Sequence, residues 1–428
     1  MRCEIVAVGT ELLLGQIVDT NSAWIGEQLA LAGIDCHRHT SVGDNRDRML
    51  AAMGEALERS DAVIVTGGLG PTQDDITRDV IAELLGVELV RDESLVARIE
   101  AVFGGRGRPM PANNLRQADV PVGARTIDQM PGTAPGLVCP VGTPSSGDAD
   151  GDGDDSPKVM YAVPGVPWEM HQMVEGTILP DLKRRAGISS VIRSRTLRTW
   201  GRSESGLAED LADEIDRIDR DGGATIAFLA SGMEGLKVRL TAKAATDAEV
   251  DALLADGEAR VRAIAGPIVF GVDDQTMESV VLDLLVAQGL RLATAESLTG
   301  GMIGTRLTEV PGSSRAFMGS IVAYDGEVKR SLLGVPEGPV VSEETVRAMA
   351  LGACERLGAD VSVAVTGVAG PDPQEGQEPG TVWMATCVDG EVQAVRTRWP
   401  FDRTRIRQFT VITVLDALRI RLLARRNA

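Results

Sequence analysis

Short apolar runs that end on glycine and lead into helical spacing recur at both ends of this chain, and they limit its fold more than any other feature. Near the N-terminus "CEIVAVG" precedes "NSAWIGEQLALAG", "RDRMLAAMGEALERS" precedes "DAVIVTGG", and "TRDVIAELLG" stops on Gly86. Strand and helix signals in strict alternation build an open, largely parallel sheet with helices on both faces. Ligands in such sheets sit beyond the carboxyl ends of the strands. From about residue 275 the pattern returns: "MESVVLDLLVAQG", "LRLATA", "AFMGSIVAY", "SEETVRAMALGACERLG", "DVSVAVTG", "GTVWMATCV", "EVQAVRTRW" and a terminal helix.

The stretch between these blocks differs. Over about 188–270, "VIRSRTLRTWG" and "LKVRLTAKAA" alternate like half-buried antiparallel strands, while "SESGLAEDLADEIDR" and "DAEVDALLADGEARVRAIAG" have helical spacing, so a small α+β module is expected. Its "GMEG" at 232–235 matches the GXXG of KH domains and reads equally as a hairpin turn; the many acidic residues favour a structural linker. Residues 143–157, "TPSSGDADGDGDDSP", are expected to be a flexible acidic insertion between strands "GLVCPV" and "KVMYAVPG". "DADGDG" resembles the start of a calcium loop, but the twelfth position from Asp148 is Val159 rather than glutamate and the flanking helices are missing, so a solvated loop is the better reading. The expected domains are 1–186, 187–273 and 274–428.

A length of 428 residues suits such a division. No apolar run reaches the roughly 18 residues of a membrane span, and "MRCEIVAVGTELLLG" reads as a strand and turn rather than a signal peptide. Five cysteines without a CxxC point to a reduced cytoplasm. A net charge of −19 argues against nucleic-acid or anionic-membrane binding, and 3% aromatic residues against a base-stacking surface. A small anion held by a few arginines and backbone amides remains compatible.

"TAESLTGG" at 294–301 puts Ser297 between an apolar run and a helix-like segment. It is either a nucleophile on a strand-to-helix turn or a helix cap. Serine hydrolysis needs a base and an oxyanion site. The three histidines, His37, His39 and His171, all precede the last domain, so a Ser-His-Asp triad within that domain is ruled out. Lys329 is the only lysine and Tyr324 the only tyrosine after residue 275, and both lie in "AYDGEVK". A desolvated lysine loses its proton more readily; Tyr324 would relay the proton or orient Ser297. Gly300 and Gly301, beside Thr299, would bring helix-start amides to an oxyanion or phosphate. "TGVAGPDP", with Thr366, Gly367 and Gly370, is a second glycine loop after a strand. Arg405 and Arg407 in "FDRTRIR" are candidate phosphate holders, or simply a basic helix face.

The N-terminal block has its own pair of loops. Gly9, Thr10 and Glu11 follow the first strand; Gly67, Gly68 and Gly70, then Asp74 and Asp75, follow a later one. Glycine loops offer amides to phosphate, and adjacent carboxylates bind a divalent metal that bridges phosphates. Neither GK[ST] nor a dinucleotide-type GxGxxG is present. The alternative is a glycine turn before an Asp-capped helix.

In order, "TAESLTGG", "AYDGEVK", "SEETVRAMA", "TGVAGP" and "GTVW" resemble the C-terminal domain of the CinA (competence/damage-inducible) family. "GTELLLGQ", "DTN", "TGGLGPTQDD", "PANNLRQA", "PGTAPG" and "PGVPWEM" resemble its N-terminal half, related to the MogA-type molybdopterin-binding fold. The resemblance covers nearly the whole chain. It implies an α/β chain with a three-layer MogA-like domain, a small KH-like α+β module and a C-terminal α/β deamidase domain. It implies deamidation of nicotinamide mononucleotide to nicotinate mononucleotide and ammonia, without a cofactor, with Ser297 as nucleophile and Tyr324 and Lys329 as activating partners. For the N-terminal half it implies a metal-dependent (Mg, Mn or Co) ADP-ribose pyrophosphatase giving AMP and ribose 5-phosphate, with Asp74 and Asp75 as metal ligands and Asn114 and Gln117 as ligand contacts or core hydrogen bonds. It also implies a homodimer. The family's usual Cys is Leu298 here, a position that is not the nucleophile. Its "YSNEVK" is "YDGEVK", which removes an asparagine contact at Gly326. The acidic stretch 143–157 is longer than the family leads one to expect.

Two other readings compete with this bifunctional hydrolase. The N-terminal domain would bind a pterin or nucleotide without turnover, or the chain would be a competence or DNA-repair interaction protein. The acidic balance speaks against the latter.

Overall fold

A computed structural model describes residues 1–105, 109–142, 158–230 and 232–426. The acidic insertion at 143–157 and the calcium-like start at Asp148 lie outside these residues; Val159, the loop's twelfth position, is a buried residue of strand Lys158–Val163. The chain forms two compact units, residues 1–193 with 243–247, and residues 194–242 with 248–428.

In the first unit six strands run in the order His39–Val42, Cys3–Val8, Ala62–Thr66, Lys158–Val163, Leu137–Val141, Arg125–Thr126. The first four are mutually parallel and the last two pair antiparallel. Alternate residues of these strands feed two cores. Ile5, Ile64, Val159, Tyr161 and Val163 pack with Ile25, Met170, Met173 and Leu182, whereas Val6, Val8, Val63, Val65 and Met160 pack with Met49, Met53, Val80 and Ile81. The period of two along each strand therefore produces the helix–sheet–helix sandwich.

In the second unit a four-stranded sheet, Thr225–Ala230, Leu236–Ala244, Val191–Thr199 and Val269–Val272, makes the small α+β module. A five-stranded sheet follows in the order Phe317–Val322, Leu292–Glu296, Val361–Gly367, Thr381–Val388, Glu391–Arg398, with its first three strands parallel. One face carries large side chains, Leu292, Val361, Val363, Val365, Val382 and Met384, against helices Met277–Gln288 and Arg403–Arg426. The other face carries Ala293, Ala295, Ala364 and Ala385 under helix Glu343–Leu357. Small residues there let the helix approach the sheet closely. Among the described residues no helix is long and apolar enough to cross a membrane.

Candidate functional site

Three parallel strands of the second unit end side by side. Leu292–Glu296 lies between the other two and runs directly into Ser297; Phe317–Val322 leads into "AYDGEVK" and Val361–Gly367 into "TGVAGPDP". A cavity of about 300 Å³ opens there, and its walls include Ser297, Tyr324, Lys329, Thr366, Gly367 and Gly370. Six of the residues singled out in the sequence thus share one space.

Helix Gly326–Leu333 starts on Asp325, whose carboxylate accepts the Glu327 amide. One turn on, Lys329 points inward. It is 2% exposed, and its Nζ donates to the Tyr324 carbonyl at 2.9 Å. Desolvation lowers its pKa from the ordinary lysine value; the charges of Asp325 and Glu375 oppose this in part. Ser297 is 7% exposed, and its amide donates to the Val365 carbonyl at 3.1 Å, which fixes it against the adjacent strand. Tyr324 is arranged differently from the expected relay. The residue is 61% exposed, and its hydroxyl accepts from Arg403 at 3.1 Å. Its link to Lys329 runs through the main chain.

Arg403 is the cavity arginine, and the sequence reading missed it. Its guanidinium also donates to the Gly370 carbonyl at 2.8 Å. Arg405 and Arg407, the expected phosphate holders, are absent from the cavity walls. Arg405 is exposed, 3.8 Å from Asp402, and Arg407 donates to the Thr299 carbonyl at 2.8 Å. Helical spacing puts 403 and 407 on one face and 405 on the opposite one. That signal was available against Arg405; nothing local shows that Arg407 serves the glycine turn.

Two amides of the turn are already committed within the protein. Gly300 and Gly301 have φ of 62° and 94°, yet the Gly300 amide donates to the Ser297 carbonyl at 3.0 Å and the Gly301 amide to Glu296 at 3.0 Å. The fully buried Glu296 carboxylate also accepts the amides of Ile303 and Gly304 and the hydroxyls of Thr299 and Ser320. Of the three residues expected to bind substrate, Thr299 and Gly301 donate to this carboxylate, which also satisfies the first amides of helix Met302–Thr308, and Gly300 closes the turn onto Ser297. Glu296 had no part in the sequence reading beyond its place before Ser297.

In the first unit the loops at Gly9 and Gly67 follow adjacent parallel strands, Cys3–Val8 and Ala62–Thr66. The Gly9 amide donates to the Val42 carbonyl at 2.9 Å, and Glu11 folds back so that a Cβ at Gly9 would collide with its carboxylate. Thr10 gives its amide and hydroxyl to Asp44 at 2.8 and 2.9 Å. Gly68 has no room for a Cβ beside the Thr77 hydroxyl, nor Gly70 beside the Asp75 carboxylate. Asp75 accepts the Thr72 amide at 2.8 Å and the Thr72 hydroxyl. Helix Thr77–Leu85 begins at Ile76 without a side-chain cap, so neither aspartate is its N-cap. Buried Asn114 donates to Gln117 at 2.7 Å, and Gln117 donates to the Leu69 carbonyl at 3.3 Å. That pair braces the loop, which is the core role weighed in the sequence. Among the described residues no group of three or more His, Cys, Asp or Glu gathers as a metal cage. Two adjacent carboxylates suit a hard divalent cation that keeps water and takes further oxygens from phosphate.

Residues 4–184 match the probable molybdopterin binding domain, residues 194–271 the damage-inducible protein CinA KH domain, and residues 274–422 the CinA C-terminal domain. A CinA-like protein of Frankia casuarinae is 47% identical over 434 residues, spanning 99% of this chain and 96% of its own. One of Gloeobacter violaceus is 43% identical over 97% of this chain and 95% of its own. Among solved structures, the protein CinA of Thermoplasma acidophilum, described as of unknown function, is 35% identical, covering 42% of this chain and 97% of that one with a TM-score of 0.36. With all three modules matched in order and full-length relatives this similar, the chain belongs to the CinA family.

Proposed function

We propose that the cavity of the second unit is an amidohydrolase site for nicotinamide mononucleotide, with Ser297 as nucleophile and Lys329 as its base. Lys329 carries this reading: it is a buried amine of lowered proton affinity opening on the same cavity as a strand-end serine. Neutral Lys329 takes the Ser297 proton as Oγ attacks the carboxamide carbon. The tetrahedral adduct collapses, the C–N bond breaks, and Lys329 returns the proton to the departing ammonia. Water, deprotonated by the same amine, then cleaves the acyl ester, freeing nicotinate mononucleotide and Ser297. The Tyr324 carbonyl orients the amine, and Arg403 at the cavity wall takes the substrate phosphate. The test is ammonia release from nicotinamide mononucleotide by the full chain beside Ser297→Ala. The variant should stay folded and lose activity by several orders of magnitude; unchanged release removes the serine mechanism.

For the first unit the same reading is hydrolysis of ADP-ribose to AMP and ribose 5-phosphate. Asp74 and Asp75 would hold a divalent cation (Mg, Mn or Co), which neutralises diphosphate charge when bound. The support is an aspartate pair beside a glycine loop at a parallel strand end. Asp74→Ala and Asp75→Ala should each abolish metal-dependent AMP release. Release that persists in both would leave this unit a binding module. A cytoplasmic homodimer without nucleic-acid partners completes the proposal, and salt-sensitive DNA binding by the purified chain would count against it.

A further inference from the structure

The glycine loop of the first unit is held from one side. Thr77 donates to the Gly67 carbonyl at 2.9 Å through its hydroxyl and to the Gly68 carbonyl at 3.2 Å through its amide. Gln117 donates to the Leu69 carbonyl, and the Arg78 guanidinium to the carbonyls of Leu69 and Gly70. In a trans peptide the next residue's N–H points opposite to the carbonyl. The amides of Gly68, Leu69 and Gly70 therefore face away from these tethers, and none of the three donates to an acceptor among the described residues. Successive amides presented in this way form an anion-binding concavity.

Behind the tethered carbonyls lies Arg78. It is 2% exposed, its Nε has no hydrogen-bond partner, and it makes no ion pair among the described residues, although its helix neighbour Asp79 pairs with Arg116. Burial lowers its pKa to about 10; the more distant Asp75, Asp79 and Asp119 oppose that shift and Arg116 adds to it. A cation buried in this way is costly unless a counter-charge meets it.

We infer that Arg78 is a positioning residue whose unpaired charge attracts a phosphate or diphosphate onto the amides of Gly68, Leu69 and Gly70, so that this loop selects phosphoryl groups over neutral heterocycles. The inference rests on the loop being a phosphate site and goes beyond it by naming the buried charge that sets its selectivity. Arg78 acts across the layer of loop carbonyls and does not touch the ligand.

The test is calorimetric titration of the full chain with inorganic pyrophosphate, the wild type beside Arg78→Gln and Arg78→Lys. Gln keeps a donor for the carbonyls and removes the charge; Lys keeps the charge. Gln should weaken binding by roughly tenfold or more, and Lys should retain most of the affinity. A Gln variant that binds like the wild type and only melts earlier would overturn the inference and leave Arg78 a loop brace. If the wild type itself fails to bind pyrophosphate, the phosphate reading falls and takes the inference with it. Should the Gln variant not fold, a folded Lys variant decides: retained affinity supports the role of charge, and a tenfold loss overturns it.

Discussion

At the scale of single residues, Lys329 has the most exposed consequences. Its pKa in the fold lies below the ordinary 10.5, because burial penalises the ammonium. The unfolded chain therefore binds a proton that the folded chain has released, over the window between the lowered value and 10.5. Stability carries the full penalty below that window and recovers as pH rises through it. Activity should follow the same amine, with kcat/KM rising with pH to a plateau below 10.5. Lys329→Met should remove the rising limb and roughly 10²–10⁴ of the rate, while the melting temperature at neutral pH stays level or increases. A pH–rate profile beside a thermal melt checks both, and a parallel loss of activity and stability would contradict the assignment. Arg403→Ala should raise KM for the mononucleotide by about tenfold or more with a smaller change in kcat, whereas Arg405→Ala should change neither. Lys329 and Tyr324 were legible because each is the only residue of its kind in its domain. Arg403 was not, because three arginines in seven residues look alike until the helix phase is fixed.

At the scale of elements, alternation revealed the parallel strands of both sheets, and the placement of loops at strand ends followed from it; the antiparallel strands at one edge of each carry no such signal. What it could not reveal was where each loop's polar groups point. "ESLTGG" reads locally as amides free for a ligand, yet Glu296 takes the Gly301 amide, the Gly300 amide goes to the Ser297 carbonyl, and Glu296 also gathers the helix amides of Ile303 and Gly304 with two hydroxyls. One donor, Ser320, comes from a neighbouring strand and is invisible to any local pattern. Glu296→Ala would strand these buried donors, at a cost of about 3 kcal/mol or more. Glu296→Gln retains one acceptor oxygen and should cost less. Urea unfolding measures the difference, and the deamidation assay should fall with it because Ser297 is the next residue. An alanine variant of wild-type stability would mean that the turn is held by other contacts.

At the scale of the whole molecule, the middle module is a domain of its own in sequence, matched over 194–271, and residues 194–242 and 248–428 pack together as one compact unit. The reason is long-range packing that carries no periodic signature. Trp200, at the end of strand Val191–Thr199, stands 5.4 Å from Phe409 on the terminal helix. Lower on that helix, Arg419 is 2% exposed, donates to the Pro267 carbonyl at 2.6 Å and pairs with Asp416 at 2.7 Å. Desolvation raises the pKa of Asp416 while Arg419 opposes the shift, so the aspartate depends on its partner. Arg419→Met removes that partner and leaves both a largely desolvated carboxylate and the Pro267 carbonyl short of a donor, a defect worth about 3 kcal/mol. Because Pro267 lies two residues before strand Val269–Val272, which pairs with Val191–Thr199, the loss should spread into the module's own sheet. Amide exchange in Val269–Val272 should accelerate in the full-length variant together with exchange in the terminal helix. Acceleration confined to the helix would show that the module stands alone, as its sequence suggests.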